Sequence, residues 1–143
     1  MTEQLSPLAL QALAIVEESG AIISANHAHP HTIRHKGRID LVTETDIAVE
    51  AFLKERLATL TPEAGFLAEE SAEDLSLPDT CWIIDPVDGT TNFAHGLPLT
   101  VTSVAYRLNG EIVLGIVNAP LLRECFIAEK GKGAWRNGER ISV

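Results

Sequence analysis

The first sixty residues contain two stretches in which apolar residues recur every three or four positions, the spacing of one helix face. The first begins at Ser6-Pro7, where serine suits an N-cap and proline suits the first helical position. Its apolar stripe comprises Leu10, Leu13, Val16, Gly20 and Ile23. Since glycine weakens a helix, Gly20 on that stripe predicts the close approach of a neighbouring element.

The second stretch predicts an amphipathic helix that ends before Pro62. Its stripe consists of Val49, Leu53, Leu57 and Leu60, with Phe52 and Arg56 beside it. Ahead of the stripe, Asp46 has the residue type and position of a helix N-cap.

Between the two helices lies a segment rich in histidine: His27, His29, His31 and His35. Alternating histidines raise the hypothesis of a zinc or nickel site. The segment contains a proline and no nearby cysteine, and structural zinc sites usually have tighter ligand spacing. The favoured prediction is a solvated loop.

From residue 66 onwards, short apolar runs separated by turn residues replace the helical spacing. They predict strands at 66–71, 82–84, 99–106, 111–118 and 124–129. Asn109-Gly110 and Asn137-Gly138 are typical of tight hairpin turns. Consecutive strands joined by such turns form an antiparallel meander. The predicted class is therefore α+β, with two long helices packed on a largely antiparallel sheet.

Composition narrows the range of functions. The 143 residues predict a single domain, and 45% of them are hydrophobic, which is sufficient for a core. A net charge of −9 argues against nucleic-acid binding. We find neither a signal peptide nor a stretch approaching a membrane span, so the expected location is cytoplasmic without membrane association. Cys81 and Cys125 fall in predicted strands and are interpreted as buried thiols.

The chemistry concentrates in the sequence D-P-V-D-G-T-T-N-F at residues 85–93, directly after an apolar strand. Pro86 lacks a backbone donor, so we expect the chain to turn there and leave the ladder, which lets Asp85 and Asp88 converge. Gly89 allows close approach to a ligand, and a helix starting at Thr90 would present free amides to an anion. Two carboxylates beside an anion site indicate Mg²⁺. For a bare pair of this kind, a strand-to-helix turn with Asp85 as a cap would be the usual interpretation.

Residues 85–93 resemble the signature of the inositol monophosphatase family of Mg²⁺-dependent, lithium-sensitive phosphatases. Two further segments support the resemblance: D-L-V-T-E-T-D at 40–46, and A-E-E at 68–70, where the family usually has G-E-E. H-G-L-P at 95–98 favours the inositol monophosphate branch. The resemblance covers nearly the whole chain, 1–143, but only the N-terminal, metal-binding half of a typical αβαβα sandwich. The W-D-x-A-A-G-type motif of the C-terminal half is not matched.

The resemblance also implies roles for individual residues. Two or more Mg²⁺ ions would be held by Glu69, Asp85, the Val87 carbonyl and Asp88. The substrate phosphate would meet Asp88, Gly89 and Thr90. An attacking water would be oriented by Glu69 and Thr90, with Asp46 bonded to Thr90. Glu70, the next residue, would face solvent or act as a cap, because successive strand residues point to opposite faces.

The implied function is hydrolysis of a phosphate monoester by a metal-activated water, with inositol monophosphate as the favoured small phosphorylated substrate. A sugar bisphosphatase or a nucleotide 3′-phosphatase shares the core signature. A catalytically silent module that binds a divalent cation or a partner is the alternative outside the enzymes. The family commonly dimerises, so a homodimer remains open. Because the second half should supply a metal ligand and a pocket wall, the chain at this length is expected to show impaired activity.

Overall fold

Two long helices cover one face of a single sheet in the computed structural model, which describes residues 4–28, 37–68 and 78–142. The helices are α1 (Pro7–Ala28) and α2 (Gly37–Leu60), and a short helix, α3 (Thr90–Ala94), follows the second strand. α1 and α2 pack against each other, and α2 also contacts the second strand and α3. The predicted α+β architecture is confirmed.

The described strands form one seven-stranded sheet in chain order. Their bounds are Gly65–Ala68 (β1), Cys81–Asp88 (β2), Val101–Leu108 (β3), Glu111–Ala119 (β4), Glu124–Glu129 (β5), Gly133–Arg136 (β6) and Glu139–Ile141 (β7). β1 pairs with β2 in parallel, and every later pair is antiparallel. The predicted meander therefore runs from β2 to β7.

Both predicted Asn-Gly turns are present. Asn109 and Gly110 have φ values of 52° and 82°, and Asn137 and Gly138 have φ values of 49° and 84°. Two successive residues with positive φ form the tight turn whose twist matches that of the flanking strands. These turns fix the registers of the β3–β4 and β6–β7 hairpins.

α1 begins as predicted. The Ala9 amide donates to Ser6 Oγ at 3.1 Å, the bond of an N-cap serine. Glu129 on β5 extends this cap, because its two carboxylate oxygens accept from the Ser6 amide at 2.8 Å and from Ser6 Oγ at 2.5 Å. The start of α1 is thereby bonded to the sheet.

The predicted stripe of α1 is partly wrong. Leu10 is 37% exposed, whereas the helix face that contacts the sheet carries Ala9, Ala12, Val16 and Ile23, each with no exposed surface. Small side chains dominate this face because α1 lies close to β4. Gly20 confirms the close approach, since a Cβ there would lie 2.9 Å from both Asn118 Nδ2 and Pro120 Cβ.

The stripe of α2 is as predicted: Val49, Leu53 and Leu57 are fully buried, and Leu60 is half-buried. The helix ends at Leu60, two residues before Pro62. Its start differs, because α2 begins at Gly37. Asp46 is therefore an interior residue of the helix, and its prediction as an N-cap is wrong.

The core lies between the helices and the sheet. Trp82, Ile84, Val104, Ile116 and Trp135 supply the sheet side and are almost fully buried. The Trp82 indole N–H donates to Thr61 Oγ1 at 2.8 Å, so the buried indole is satisfied.

By length and composition alone, Pro7–His27 is apolar enough to cross a membrane, which the sequence reading did not anticipate. Ala9, Ala12, Val16 and Ile23 of that segment belong to the protein core, and a core helix can have the same composition.

Both cysteines are buried free thiols in strands, as predicted. Burial, with the nearby carboxylate of Glu17, raises the pKa of the Cys125 thiol to about 12. Such a thiol stays protonated and is a poor nucleophile.

The opposite face of the sheet carries small side chains. Paired positions across four adjacent strands place Ala105, Gly115, Ala128 and Ala134 in one row. A shallow apolar cavity of about 250 Å³ lies along this row, between Val117, Phe126 and Ile141. We call this surface the open face, since both long helices lie on the other side.

Candidate metal and phosphate site

The strand that carries the two carboxylates contains a β-bulge. In the β2–β3 pairing, Asp85 is opposite Ser103 and Asp88 is opposite Val101. Two residues of β2, Pro86 and Val87, therefore face the single residue Thr102 of β3, which is the definition of a bulge. Pro86 does not turn the chain out of the ladder as predicted, because β2 continues through it to Asp88.

The bulge decides where the carboxylates point. In a regular strand, residues three apart lie on opposite faces. The extra residue of the bulge shifts the register by one position. Asp85 and Asp88 are therefore opposite Ser103 and Val101, which share a face of β3. That face is the open face, since the intervening Thr102 is buried on the helix side. Asp85 and Asp88 therefore share a face because of the register and not because of a turn. That their carboxylates converge on one point stays a prediction.

Next to the carboxylates the backbone adopts a conformation that requires glycine. Gly89 is the N-cap of α3, with φ 87° and ψ 39°. A Cβ at this position would lie 2.6 Å from the carbonyl oxygen of Leu99, closer than any real contact. The chain's own loop therefore excludes a side chain at position 89, and the prediction that Gly89 allows close approach to a ligand stays a prediction.

α3 begins at Thr90, as predicted, and is anchored by Phe93, which is buried. Amides in the first turn of a helix have no partner within it, so α3 places such groups directly after Asp88. The loop after α3 is closed by Asn92, whose Nδ2 donates to the Leu99 carbonyl at 2.9 Å. His95 lies in this loop and is exposed.

Asp46 lies on α2, and its bond to Thr90 stays a prediction. It is only 6% exposed, and its helix packs against α3. Its neighbour Thr45 is fully buried and accepts a hydrogen bond from Asn26 Nδ2 at 2.7 Å. The end of α1 therefore fixes this turn of α2.

His27 also contacts the site region, which sequence reasoning missed. The residue belongs to α1 and not to a loop, and its Nε2 donates to the carbonyl oxygen of Gly96 at 3.0 Å. Its ring centroid lies 6.2 Å from that of Phe93. His29, His31 and His35 lie outside the described residues.

Glu69, the third predicted carboxylate, lies outside the described residues, as does Glu70. Among the residues that are described, no three His, Cys, Asp or Glu side chains cluster in a way that could hold a metal ion. Ala68, the residue before Glu69, pairs with Ile84, the residue before Asp85. The assignment of Glu69 as a ligand stays a prediction.

Comparison with known proteins identifies the relatives of this fold. The profile of the inositol monophosphatase family matches residues 4–143. An inositol monophosphatase of Dictyostelium discoideum is 46% identical over 136 residues, which are 92% of this chain and 50% of that protein. The fructose-1,6-bisphosphatase/inositol-1-monophosphatase of Thermotoga maritima is 46% identical over 104 residues, 73% of this chain and 40% of that protein.

Solved structures agree with the sequence matches. Inositol monophosphate-bound SaIMPase-II superimposes with a TM-score of 0.73 at 27% identity, covering 90% of this chain and 46% of that one. A second structure of SaIMPase-II holds 2′AMP, with a TM-score of 0.74 at 26% identity and coverage of 90% and 47%. The chain spans about half the length of the relatives that it matches.

Proposed function

Because the chain belongs to the inositol monophosphatase family, we propose that it is the metal-binding part of an enzyme that hydrolyses a phosphate monoester with Mg²⁺. The observation that carries the proposal is the bulge in β2, which brings Asp85 and Asp88 to one face at a strand end. Directly beyond them, Gly89 and α3 present backbone amides suited to an anion.

The donor groups suit Mg²⁺. This ion prefers oxygen ligands, binds through one or two carboxylates and completes its shell with water and phosphate oxygens. Glu69, Asp85, the Val87 carbonyl and Asp88 would hold two or more ions. The pairing of Ala68 with Ile84 supports grouping Glu69 with Asp85, because each acid directly follows one partner of that pair.

When bound, the ions would lower the pKa of a water and neutralise phosphoryl oxygens. The chain's own residues would do the positioning. Asp88, with the amides of Gly89 and Thr90, would orient the phosphate, and the Thr90 hydroxyl, bonded to Asp46, would orient a water together with Glu69. Catalysis of this kind depends mainly on position and electrostatics, so no histidine acid is required.

Inositol monophosphate is the substrate we favour, and we expect lithium to inhibit. The Dictyostelium relative is named an inositol monophosphatase, and SaIMPase-II binds inositol monophosphate. A sugar bisphosphatase or a nucleotide phosphatase is the alternative, favoured by the name of the Thermotoga relative and by 2′AMP in SaIMPase-II. We further propose a cytoplasmic protein that forms a homodimer.

Substitution of Asp85, with Asp79 as the control, tests the proposal. Asp85→Asn keeps the size of the side chain and removes the charge, and it should abolish Mg²⁺ binding in calorimetry. In a chain joined to the second half of a relative, it should also abolish Mg²⁺-dependent phosphate release from inositol 1-phosphate. Asp79→Asn is the matched control, since Asp79 is exposed in the turn before β2. Unchanged Mg²⁺ binding and turnover in Asp85→Asn would refute the assignment.

The 143-residue chain on its own should hydrolyse slowly or not at all, because its relatives are about twice as long. Turnover equal to that of an intact relative would contradict this expectation.

The second candidate is a catalytically silent module that binds a divalent cation or a partner protein. The open face favours it, because Val117 and Ile141 remain 38% and 40% exposed on an apolar surface. Calorimetric binding of Mg²⁺ or Ca²⁺ without phosphate release, in a chain joined to the second half of a relative, would select this function over the enzyme.

A further inference from the structure

The bulge in β2 contains a buried backbone carbonyl that is bonded to a side chain of β3. Pro86 and its neighbour Val87 are both buried, and together they face a single residue of β3. The carbonyl oxygen of Pro86 accepts a hydrogen bond from Thr102 Oγ1 at 2.8 Å. Thr102 has no exposed surface, so water cannot reach its side chain to compete for that hydroxyl.

A buried carbonyl without a partner is strongly disfavoured, and almost all such groups in folded proteins are bonded. The Thr102 hydroxyl therefore stabilises the bulged register relative to a regular one. In a regular register Asp88 would lie on the face opposite Asp85, because a one-residue slip reverses every side chain.

We propose that Thr102 is a positioning residue for the carboxylate pair, which holds Asp85 and Asp88 on the open face by bonding the Pro86 carbonyl from the helix side. The inference rests on the proposed function for its consequence, cation binding. Its structural part, the stability of the bulge, stands independently. Thr102 lies behind the bulge and would touch neither ion nor substrate.

The same strand edge provides a matched control. Thr100 is two residues away, directly before β3, and is 1% exposed. Its Oγ1 has no hydrogen-bond partner among the described residues. Replacing either threonine by valine removes a buried hydroxyl and keeps the shape, but only Thr102→Val breaks a bond to the site.

Hydrogen–deuterium exchange of the 143-residue chain gives the first readout. The exchange is monitored in the peptide that contains the amides of Val87, Asp88 and Gly89. Loss of one hydrogen bond corresponds to about a tenfold rise in local opening. We expect that rise in Thr102→Val and no local rise in Thr100→Val. Thr102→Ser keeps the hydroxyl and should retain the protection of the wild type.

Mg²⁺ titration by calorimetry gives the second readout. We expect the dissociation constant for Mg²⁺ to rise about tenfold in Thr102→Val, because the hydrogen bond that stabilises the bulge is lost. In Thr100→Val and Thr102→Ser it should remain near the wild-type value. If the wild type binds no Mg²⁺ while the exchange results hold, the proposed function fails and the positioning of the bulge is still supported.

Three results would overturn the proposal. The first is unchanged exchange of the bulge in Thr102→Val. The second is an increase spread evenly over all strands, since that would indicate general packing. The third is a Thr102→Ser variant whose bulge exchanges as fast as that of Thr102→Val; serine is also the informative variant if the valine variant does not fold.

Discussion

The contact between α1 and the end of β4 determines whether Gly20→Ala raises or lowers the free energy of unfolding. Gly20 lies on the buried side of α1, where an added Cβ would lie 2.9 Å from two atoms, Asn118 Nδ2 and Pro120 Cβ. The Pro120 ring has no rotamer that withdraws it. Asn118 is held as well, because its Nδ2 donates to the Val16 carbonyl at 3.4 Å. Gly20→Ala must therefore displace α1 or break that bond.

The magnitude follows from opposing terms. Alanine gains about 1 kcal/mol over glycine inside a helix. Overpacking of a close contact costs about 1–3 kcal/mol, and loss of the Asn118 bond adds about 1 kcal/mol. We expect a net decrease of about 1–3 kcal/mol in the free energy of unfolding. For a domain of this size the melting temperature should fall by about 3 °C per kcal/mol.

Urea unfolding followed by tryptophan fluorescence measures this change, because Trp82 and Trp135 have no exposed surface in the folded chain. Ala21→Gly is the control, since Ala21 is the exposed neighbour and reports helix propensity alone, with an expected loss of about 1 kcal/mol. A Gly20→Ala variant more stable than the wild type would refute the close approach of α1 to β4.

Glu129→Ala should lower the free energy of unfolding by about 1–3 kcal/mol in the same assay, because it removes two bonds to Ser6; the exposed control Glu139→Ala should change it by less than about 0.5 kcal/mol. The raised pKa of Cys125 predicts alkaline sensitivity: above pH 9.0 the unfolded chain loses a proton that the folded chain keeps, so stability falls towards pH 12. Cys125→Ala should flatten that fall, and an equally steep decline in the variant would exclude this origin. The 143-residue chain should self-associate through the open face, and Val117→Lys should reduce the light scattering; a clean wild-type monomer at high concentration would contradict this.

The helices show which features a sequence pattern can predict. In α2 the buried positions carry Val49, Leu53 and Leu57, so hydrophobic period and packing face coincide. In α1 the pattern favoured large residues such as Leu10, but the packing face is made of smaller ones. Since a helix that lies close to a sheet needs small side chains, hydrophobicity alone selects the wrong face there. Only Gly20 signalled the close approach.

At the candidate metal and phosphate site, the sequence predicted the residue types but not their geometry. The residue types at positions 85–90 predicted two converging carboxylates and a helix start. The helix start is present, and the two carboxylates lie on one face of the sheet. Their geometry could not be predicted, because a bulge is defined by the register with β3, whose paired residues are distant in the sequence, as Asp88 and Val101 are. Pro86 was interpreted as the end of the ladder. It is instead the bulged residue, a position where the missing donor costs nothing.

Contacts between distant elements were equally hidden. His27 was grouped with neighbouring histidines as a loop, although it belongs to α1 and bonds Gly96 across 69 positions. Asn26 bonds Thr45 in the next helix. No local signal marks either residue, since the partners are brought together only when α1, α2 and α3 pack at one end of the sheet.

The two faces of the sheet have different roles: one carries the core residues, and the other carries the candidate metal ligands. The helix face holds the core, and its substitutions should act through the free energy of unfolding. The open face holds Asp85 and Asp88, which contribute no apolar packing and are tolerated together because the strand end is accessible to cations and water. At the bulge, the Pro86 carbonyl bonds to Thr102 on the helix face, while the side chains of Asp85 and Asp88 lie on the open face. Thr102 is therefore the place where a core residue reaches the site, and its hydroxyl connects the packing of the helix face to the geometry of the acids.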